Sequence, residues 1–241
     1  MKLLNIDQKT LKKKLDKYLA EDVNYRLAYG YTKNRFEEAD NLTAHNWAHA
    51  YRDTLNAIVI GEAEGADMGI VLPAITMHDI GFLYGASPEQ HGEIGAERVA
   101  EFLKEADAHY NDDQIEAIAS CIRTHKGSIH GKHPEGLEAK VVADSDLLEK
   151  FGPFGVYQTV RTYAELNWSI DKAIERGDRI LTADLVIVTG KQLIVQMLVL
   201  VWNLTHNQLE LLLVLPCMVQ ITQVQTQFLL YEKQTVIVLF M

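Results

Sequence analysis

Seven of the nine histidines in this chain fall between His45 and His130, and one of them, His78, is followed directly by Asp79. Imidazole and carboxylate side chains together make ligands for a divalent transition metal. His45-Asn-Trp-Ala-His49-Ala-Tyr-Arg52 places His45 and His49 four residues apart and Arg52 three beyond His49. A helix over this segment presents all three on one face. Alone, the two histidines also fit a solvated or capping pair. His78-Asp79 follows Leu72-Pro-Ala-Ile-Thr-Met77, apolar enough to bury its helix, and precedes Ile80-Gly81, where the backbone can turn. A carboxylate there is costly unless neutralised; a metal would do that, and so would a buried His-Asp hydrogen bond. Asp144 and Asp146 form the next acidic cluster, and two residues apart they cannot share one helical face, so one of them is the ligand.

The loop Lys126-Gly-Ser-Ile-His130-Gly-Lys132-His133-Pro134 is basic and contains two glycines. Beside a metal centre it could grip phosphate oxygens, with Lys126 the best placed; otherwise it is ordinary surface. Arg52 and Arg161 are further partners for a phosphate or carboxylate, Arg52 first because it shares a face with His49. His109 and His206 read as ordinary surface or core histidines.

The elements that must position these groups read as helices. Apolar residues recur at three and four positions from Asp7 to about Ala183, predicting an all-α fold with helices at Gln8–Leu19, Ala44–Ala63, Gly69–Tyr84, His91–Ala106, Asp112–Thr124, Leu137–Phe151 and Phe154–Glu175. Gly, Pro, Asn and Asp punctuate the gaps. The 241 residues suffice for a self-supporting core, and Cys121 and Cys217 fit neither a metal knuckle nor a disulfide framework, so a reducing, cytoplasmic setting is expected. The N-terminus is charged throughout, without the apolar stretch of a signal peptide. A net charge of -10 argues against nucleic acid as a partner, whereas a metal could still draw in a small phosphorylated substrate.

After Ala183 the character changes. Only Asp184, Lys191, Glu210, Glu232 and Lys233 are charged there, and Val219–Phe228 alternates apolar with polar residues as strands do. Pro216 and four glutamines make Leu211–Tyr231 a poor membrane span, so no membrane is expected. Residues 1–183 are read as one domain and 184–241 as an anomalous tail that does not continue it natively, as after a shifted coding frame. Without covering helices, such a chain should be less soluble than one ending in an amphipathic helix.

The order His49, His78-Asp79, Asp146 resembles the HD-domain superfamily of metal-dependent phosphohydrolases. The segment His45–Arg52 resembles its H-D-x-x-H-x-x-R, and Leu137-Glu-Ala-Lys-Val-Val-Ala-Asp-Ser-Asp-Leu-Leu-Glu-Lys-Phe-Gly152 its L-E-A-K-x-x-x-D-A-D-R-L-D-x-x-G. The likeness spans about residues 25 to 183 and implies an HD-type helical bundle. It selects Asp146 as the ligand and leaves Asp144 to support the ligand set from behind. Asn46 replaces an Asp, and Leu147 an Arg, of the family pattern; the second change bears on substrate contacts. Members with two metals add a His from H-x-x-x-G-A and another from the next helix, implying His91 and His125 here, with Asp79 bridging the ions. On their own, His91 reads equally as an N-cap and His125 as a helix C-terminal cation.

The implied chemistry is hydrolysis of a phosphomonoester or phosphoanhydride, on a nucleotide by preference, with water activated by one or two ions of Mn, Fe, Co, Ni or Zn. Asp79, Lys126 and Arg52 are the expected catalytic groups. A di-iron oxygenase on the same fold, acting on a small polar substrate, and a silent nucleotide-sensing module are the rival readings.

Overall fold

A computed structural model describes residues 7–181, 185–191 and 193 of the chain, and among them every regular element is helical. Nine α-helices follow in order: α1 Gln8–Glu21, α2 Val23–Glu37, α3 Trp47–Glu64, α4 Met68–Thr76, α5 His91–Glu105, α6 Asp112–Thr124, α7 Leu137–Leu148, α8 Gly152–Glu165 and α9 Ile170–Leu181. Short 3-10 turns occupy Ile80–Tyr84 and Gly127–His130.

α4 is the central element. Every residue from Ile70 to Thr76 is buried, and α3, α6 and α7 pack around it while α5 lies against α6. A helix apolar on all sides has to be enclosed in this way. The main core gathers Val71, Ile75 and Met77 with Phe102 and Leu103 of α5, Ile118 and Ile122 of α6, and Val141 and Val142 of α7. A second cluster joins α1 to α2, α3 and α4 through Leu15, Tyr25, Ile58 and Leu72.

α2 escapes a reading by apolar spacing because its inward face is Tyr25, Ala28, Thr32 and Phe36, while Val23 and Leu27 point to solvent. The Tyr25 hydroxyl, 3.1 Å from the Thr76 hydroxyl, satisfies the polar groups that this face buries.

Three expected helices are cut differently by the fold. α3 begins at Trp47, because Asn46 is its N-cap and accepts a hydrogen bond from the His49 N–H at 3.3 Å. Asn caps as well as Asp does, so the Asn46 departure costs no helix start. The expected Gly69–Tyr84 helix stops at Thr76, and the expected Phe154–Glu175 helix divides at Asn167, whose φ of 48 no α-helix accepts.

Packing continues past Ala183. Leu185, Ile187, Thr189 and Leu193 are buried, and Leu185 joins Leu147 and Ile180 in a small cluster. The change of composition at residue 183 is therefore not the edge of the packed body. The strand-like segment Val219–Phe228 and the expected non-native tail beyond residue 193 lie outside the described residues. Among the described residues, no helix is long and apolar enough to cross a membrane.

Candidate metal centre

The break after Thr76 puts two consecutive side chains into one site. In a continuing helix His78 and Asp79 would point about 100° apart. Instead the His78 Nδ1–H donates to the Ile75 carbonyl at 2.6 Å, satisfying a terminal oxygen of α4, and the chain turns into the Ile80–Tyr84 segment. Gly81 allows this turn to press against the start of α5: a Cβ there would stand 2.1 Å from the His91 carbonyl oxygen. His91 thereby enters the same site from the opposite side.

Asp79 sits between two pairs of histidines. Its Oδ2 is 3.2 Å from His49 Nε2 and 3.3 Å from His78 Nε2, while its Oδ1 is 3.1 Å from His91 Nε2 and 3.6 Å from His125 Nε2. Within the pairs, Nε2 atoms are 3.1 Å apart for His49 and His78 and 3.0 Å apart for His91 and His125. Asp146 adds an oxygen 3.7 Å from His49 Nε2. Five of these six side chains are buried to 6 % exposure or less, and Asp146 to 7 %.

The proton positions follow from the other ring nitrogens. His91 Nδ1 meets the Pro88 carbonyl at 2.9 Å and His125 Nδ1 the Ile122 carbonyl at 2.6 Å, as His78 Nδ1 meets Ile75; His49 Nδ1 is held by Glu149. An acceptor on Nδ1 fixes the proton there and leaves the Nε2 lone pair free for a metal. Two unprotonated nitrogens 3.0 or 3.1 Å apart with a carboxylate oxygen beside them repel one another unless a cation lies between. Asp79 Oδ2 and both oxygens of Asp53 are buried without a hydrogen bond among the described residues. The donor set could therefore hold a divalent metal: the ligand atoms of His49, Asp53, His78 and Asp146 all lie within 4.8 Å of one another, as do those of His78, Asp79 and His125.

Electrostatics show the same demand for positive charge. Burial would lift the Asp79 carboxyl, but His78 and the rings around it outweigh that and hold it well below the usual carboxylate range. Burial would depress His78, yet Asp79 beside it carries its pKa up to about 9. His49 is raised well above its ordinary value because Asp53 and Glu149 overcome its burial. His125 goes the other way, pushed well down by burial and by the His91 and His78 rings. Protons on His49 and His78 thus balance the carboxylates wherever metal does not.

Not every expected residue reaches the centre in the expected way. His45 precedes α3, its ring 5.8 Å from that of His49 and lining the same cavity; it is held by Glu165 of α8, which also accepts from the His45 N–H at 3.2 Å. Arg52 pairs with Glu149, the same carboxylate that holds His49, so it orients the ligand set from behind. Lys126 borders the cavity, but its Nζ donates to the Pro88 and Glu89 carbonyls at 2.8 and 2.9 Å. Asp144 turns away from the site: its carboxylate accepts from the Val186 and Ile187 N–H groups at 2.9 and 2.7 Å, anchoring the segment after α9. Lys132 pairs with Glu93 at 2.7 Å, and Arg161 reaches the Thr43 carbonyl.

Four residues carry weight that their spacing did not advertise. Asp53, fully buried one turn along α3 from His49, lies 3.2 Å from His49 Nδ1 and 3.7 Å from His78 Nε2. Its i+4 position was the available signal. Glu165 and Arg176 reach the site from far along the chain, and no local pattern marks them; Glu149 lies three residues beyond Asp146, at an acidic position of the same segment. Lys150 joins them at the edge, its Nζ 2.6 Å from Asp146 Oδ1.

The centre floors a cavity of about 50 Å³ lined by His45, Lys126, His130, Lys150, Gln158 and Arg176, among others. At roughly 10–15 Å³ for each water held, the space suits a phosphoryl-sized group.

Comparison with known proteins gives likenesses over part of the chain. The HD-domain family model matches residues 46–150. A predicted HD superfamily hydrolase from an uncultured Thermotogales bacterium is 25% identical, covering 64% of this chain and 83% of its own, with a TM-score of 0.46. A Lactobacillus plantarum protein is 17% identical, with a TM-score of 0.58 over 77% of this chain and 94% of its own, a likeness of fold. A search of curated proteins gave no match.

Proposed function

With residues 46–150 an HD domain, we propose that this protein is a metal-dependent phosphohydrolase that cleaves a phosphomonoester or phosphoanhydride of a small molecule, a nucleotide by preference. The observation that carries this reading is the Asp79 carboxylate, with one oxygen toward His49 and His78 and the other toward His91 and His125. Such a bridge suits a metal pair roughly 3.5–4 Å apart, the spacing of many phosphoryl-transfer centres. His49, His78, Asp79 and Asp146 would hold one ion and His91, His125 and Asp79 the other. Bound there, such ions supply Lewis acidity toward phosphoryl oxygens and lower the pKa of water.

The chain's own groups do the rest. Backbone carbonyls of Ile75, Pro88 and Ile122 fix three imidazole tautomers, and Glu149 with Arg52 fixes the fourth. Lys150 and Lys126 bring positive charge to the cavity wall, where phosphoryl oxygens would lie.

The test is phosphate and pyrophosphate release from a panel of nucleotides and phosphomonoesters by metal-stripped protein given Mn, Fe, Co, Ni or Zn, with His78→Ala and Asp79→Ala as controls. Metal-dependent release lost in both controls supports the hydrolase. Oxygen consumption by the iron form without phosphate release would replace it with an oxygenase, and neither activity in folded protein would leave a sensing module.

A further inference from the structure

Among the described residues, Arg176 is the cavity-lining cation whose charge meets no hydrogen-bond acceptor. Lys126 is tied to two carbonyls and Lys150 to Asp146. Arg176, on α9, is 9 % exposed, and among the described residues its guanidinium makes no hydrogen bond or salt bridge; its Cζ lies over the Trp168 ring at 5.5 Å, a ring it shares with Lys172. Stacking on an indole holds the plane of the guanidinium while leaving its N–H edges free. It lines the same cavity as Asp79 and Asp146, and both carboxylates act on it electrostatically.

Charge in the cavity is segregated. The floor holds Asp79, Asp146 and Glu149, and the wall holds Lys126, Lys150 and Arg176. These cations, with Arg179 and its own burial, push His130 down to about 3, so that ring is neutral and adds no charge of its own. Metals would satisfy the floor. The wall needs an anion.

We propose that Arg176 is a substrate-binding residue that takes non-bridging oxygens of the substrate's phosphoryl group, with Trp168 as its positioning residue. The assignment rests on the phosphohydrolase reading. It gives α9 a role in binding and explains how a chain with Leu147 in place of the family's Arg still presents a guanidinium to the substrate. A planar fork with several N–H donors meets two phosphoryl oxygens at once, which the tethered lysines cannot do.

The test uses the full chain loaded with Mn. Orthophosphate binding is followed by calorimetry, and kcat and KM are followed with the best substrate of the panel, for wild type, Arg176→Gln, Arg176→Lys and Trp168→Phe. Circular dichroism and bound metal per chain serve as folding controls. Arg176→Gln should weaken orthophosphate binding and raise KM roughly 10- to 100-fold with metal content unchanged. Arg176→Lys should recover part of this, and Trp168→Phe should lose less than Arg176→Gln. Unchanged orthophosphate affinity in folded, metal-replete Arg176→Gln overturns the assignment while wild-type turnover keeps the phosphohydrolase. Wild type that neither binds orthophosphate nor releases it from any substrate overturns both.

Discussion

Asp53 lies one turn along α3 from His49, its Oδ2 3.2 Å from His49 Nδ1, and both of its oxygens are buried without a hydrogen bond among the described residues. Burial, together with Glu149 and Asp146, lifts its carboxyl well above the usual range against the pull of His49. It belongs with His49, His78 and Asp146 to a group whose ligand atoms all lie within 4.8 Å of one another. Replacing it tests whether it serves the metal. Asp53→Asn should weaken the tighter-bound ion about 10- to 100-fold, the usual cost of losing a group that orients a ligand. Competition with a chelating dye checks this; unchanged affinity would assign Asp53 to folding alone.

Asp79 is shared by both proposed ions, so its loss should be more damaging than that of any single histidine. Asp79→Ala is expected to bind neither ion stoichiometrically, whereas His125→Ala should retain the ion at His49, His78 and Asp146. Elemental analysis of gel-filtered protein distinguishes them. Equal metal content in the two variants would remove the bridging role.

Metal binding should release protons. With His78 near 9 in the absence of metal, its ring is mostly protonated at pH 7 and must lose that proton to offer Nε2. The sign is that affinity rises as pH rises, by about tenfold per pH unit for each proton displaced, and levels above about pH 9. Calorimetry in buffers of different ionisation enthalpy measures the release, and a buffer-independent heat would contradict it.

Gly81→Ala should separate the two halves of the site. The added Cβ would meet backbone, at 2.1 Å from the His91 carbonyl oxygen, so the start of α5 must shift. Overpacking of this kind costs about 1–3 kcal/mol, and the shift carries His91 away from Asp79. Urea unfolding and metal content together should show a less stable protein that has lost the ion at His91 and His125 first.

Asp144 gives a stability effect without a metal effect. Asp144→Ala strips the Val186 and Ile187 N–H groups of their acceptor, at an expected cost of about 1–3 kcal/mol. Its metal content should equal that of wild type. A loss of metal in a variant of unchanged melting temperature would return Asp144 to the site.

The sequence by itself determined the helical class, the ligand types and their order, because apolar spacing and residue chemistry are local properties of the chain. His49, His78 and Asp79 could be named from the residues, and Asp146, His91 and His125 from the resemblance; the structure brings the four histidines around the Asp79 carboxylate, with Asp146 beside His49. What spacing could not supply was direction. The break after Thr76 that aims both His78 and Asp79 inward depends on His78 capping Ile75 and on Gly81 fitting against α5, and both are tertiary choices. α2 was hidden because a Tyr, a Thr and an Ala do part of the work of an apolar stripe, satisfied only by partners such as Thr76. Asp53 was legible in principle from its four-residue spacing to His49. Glu149 stands in the acidic segment with Asp146, and only its pairing with His49, 100 residues away, was hidden; Glu165 and Arg176 were not legible, because the partner of Glu165 is 120 residues away and Arg176 belongs to a cavity that exists only in the folded chain.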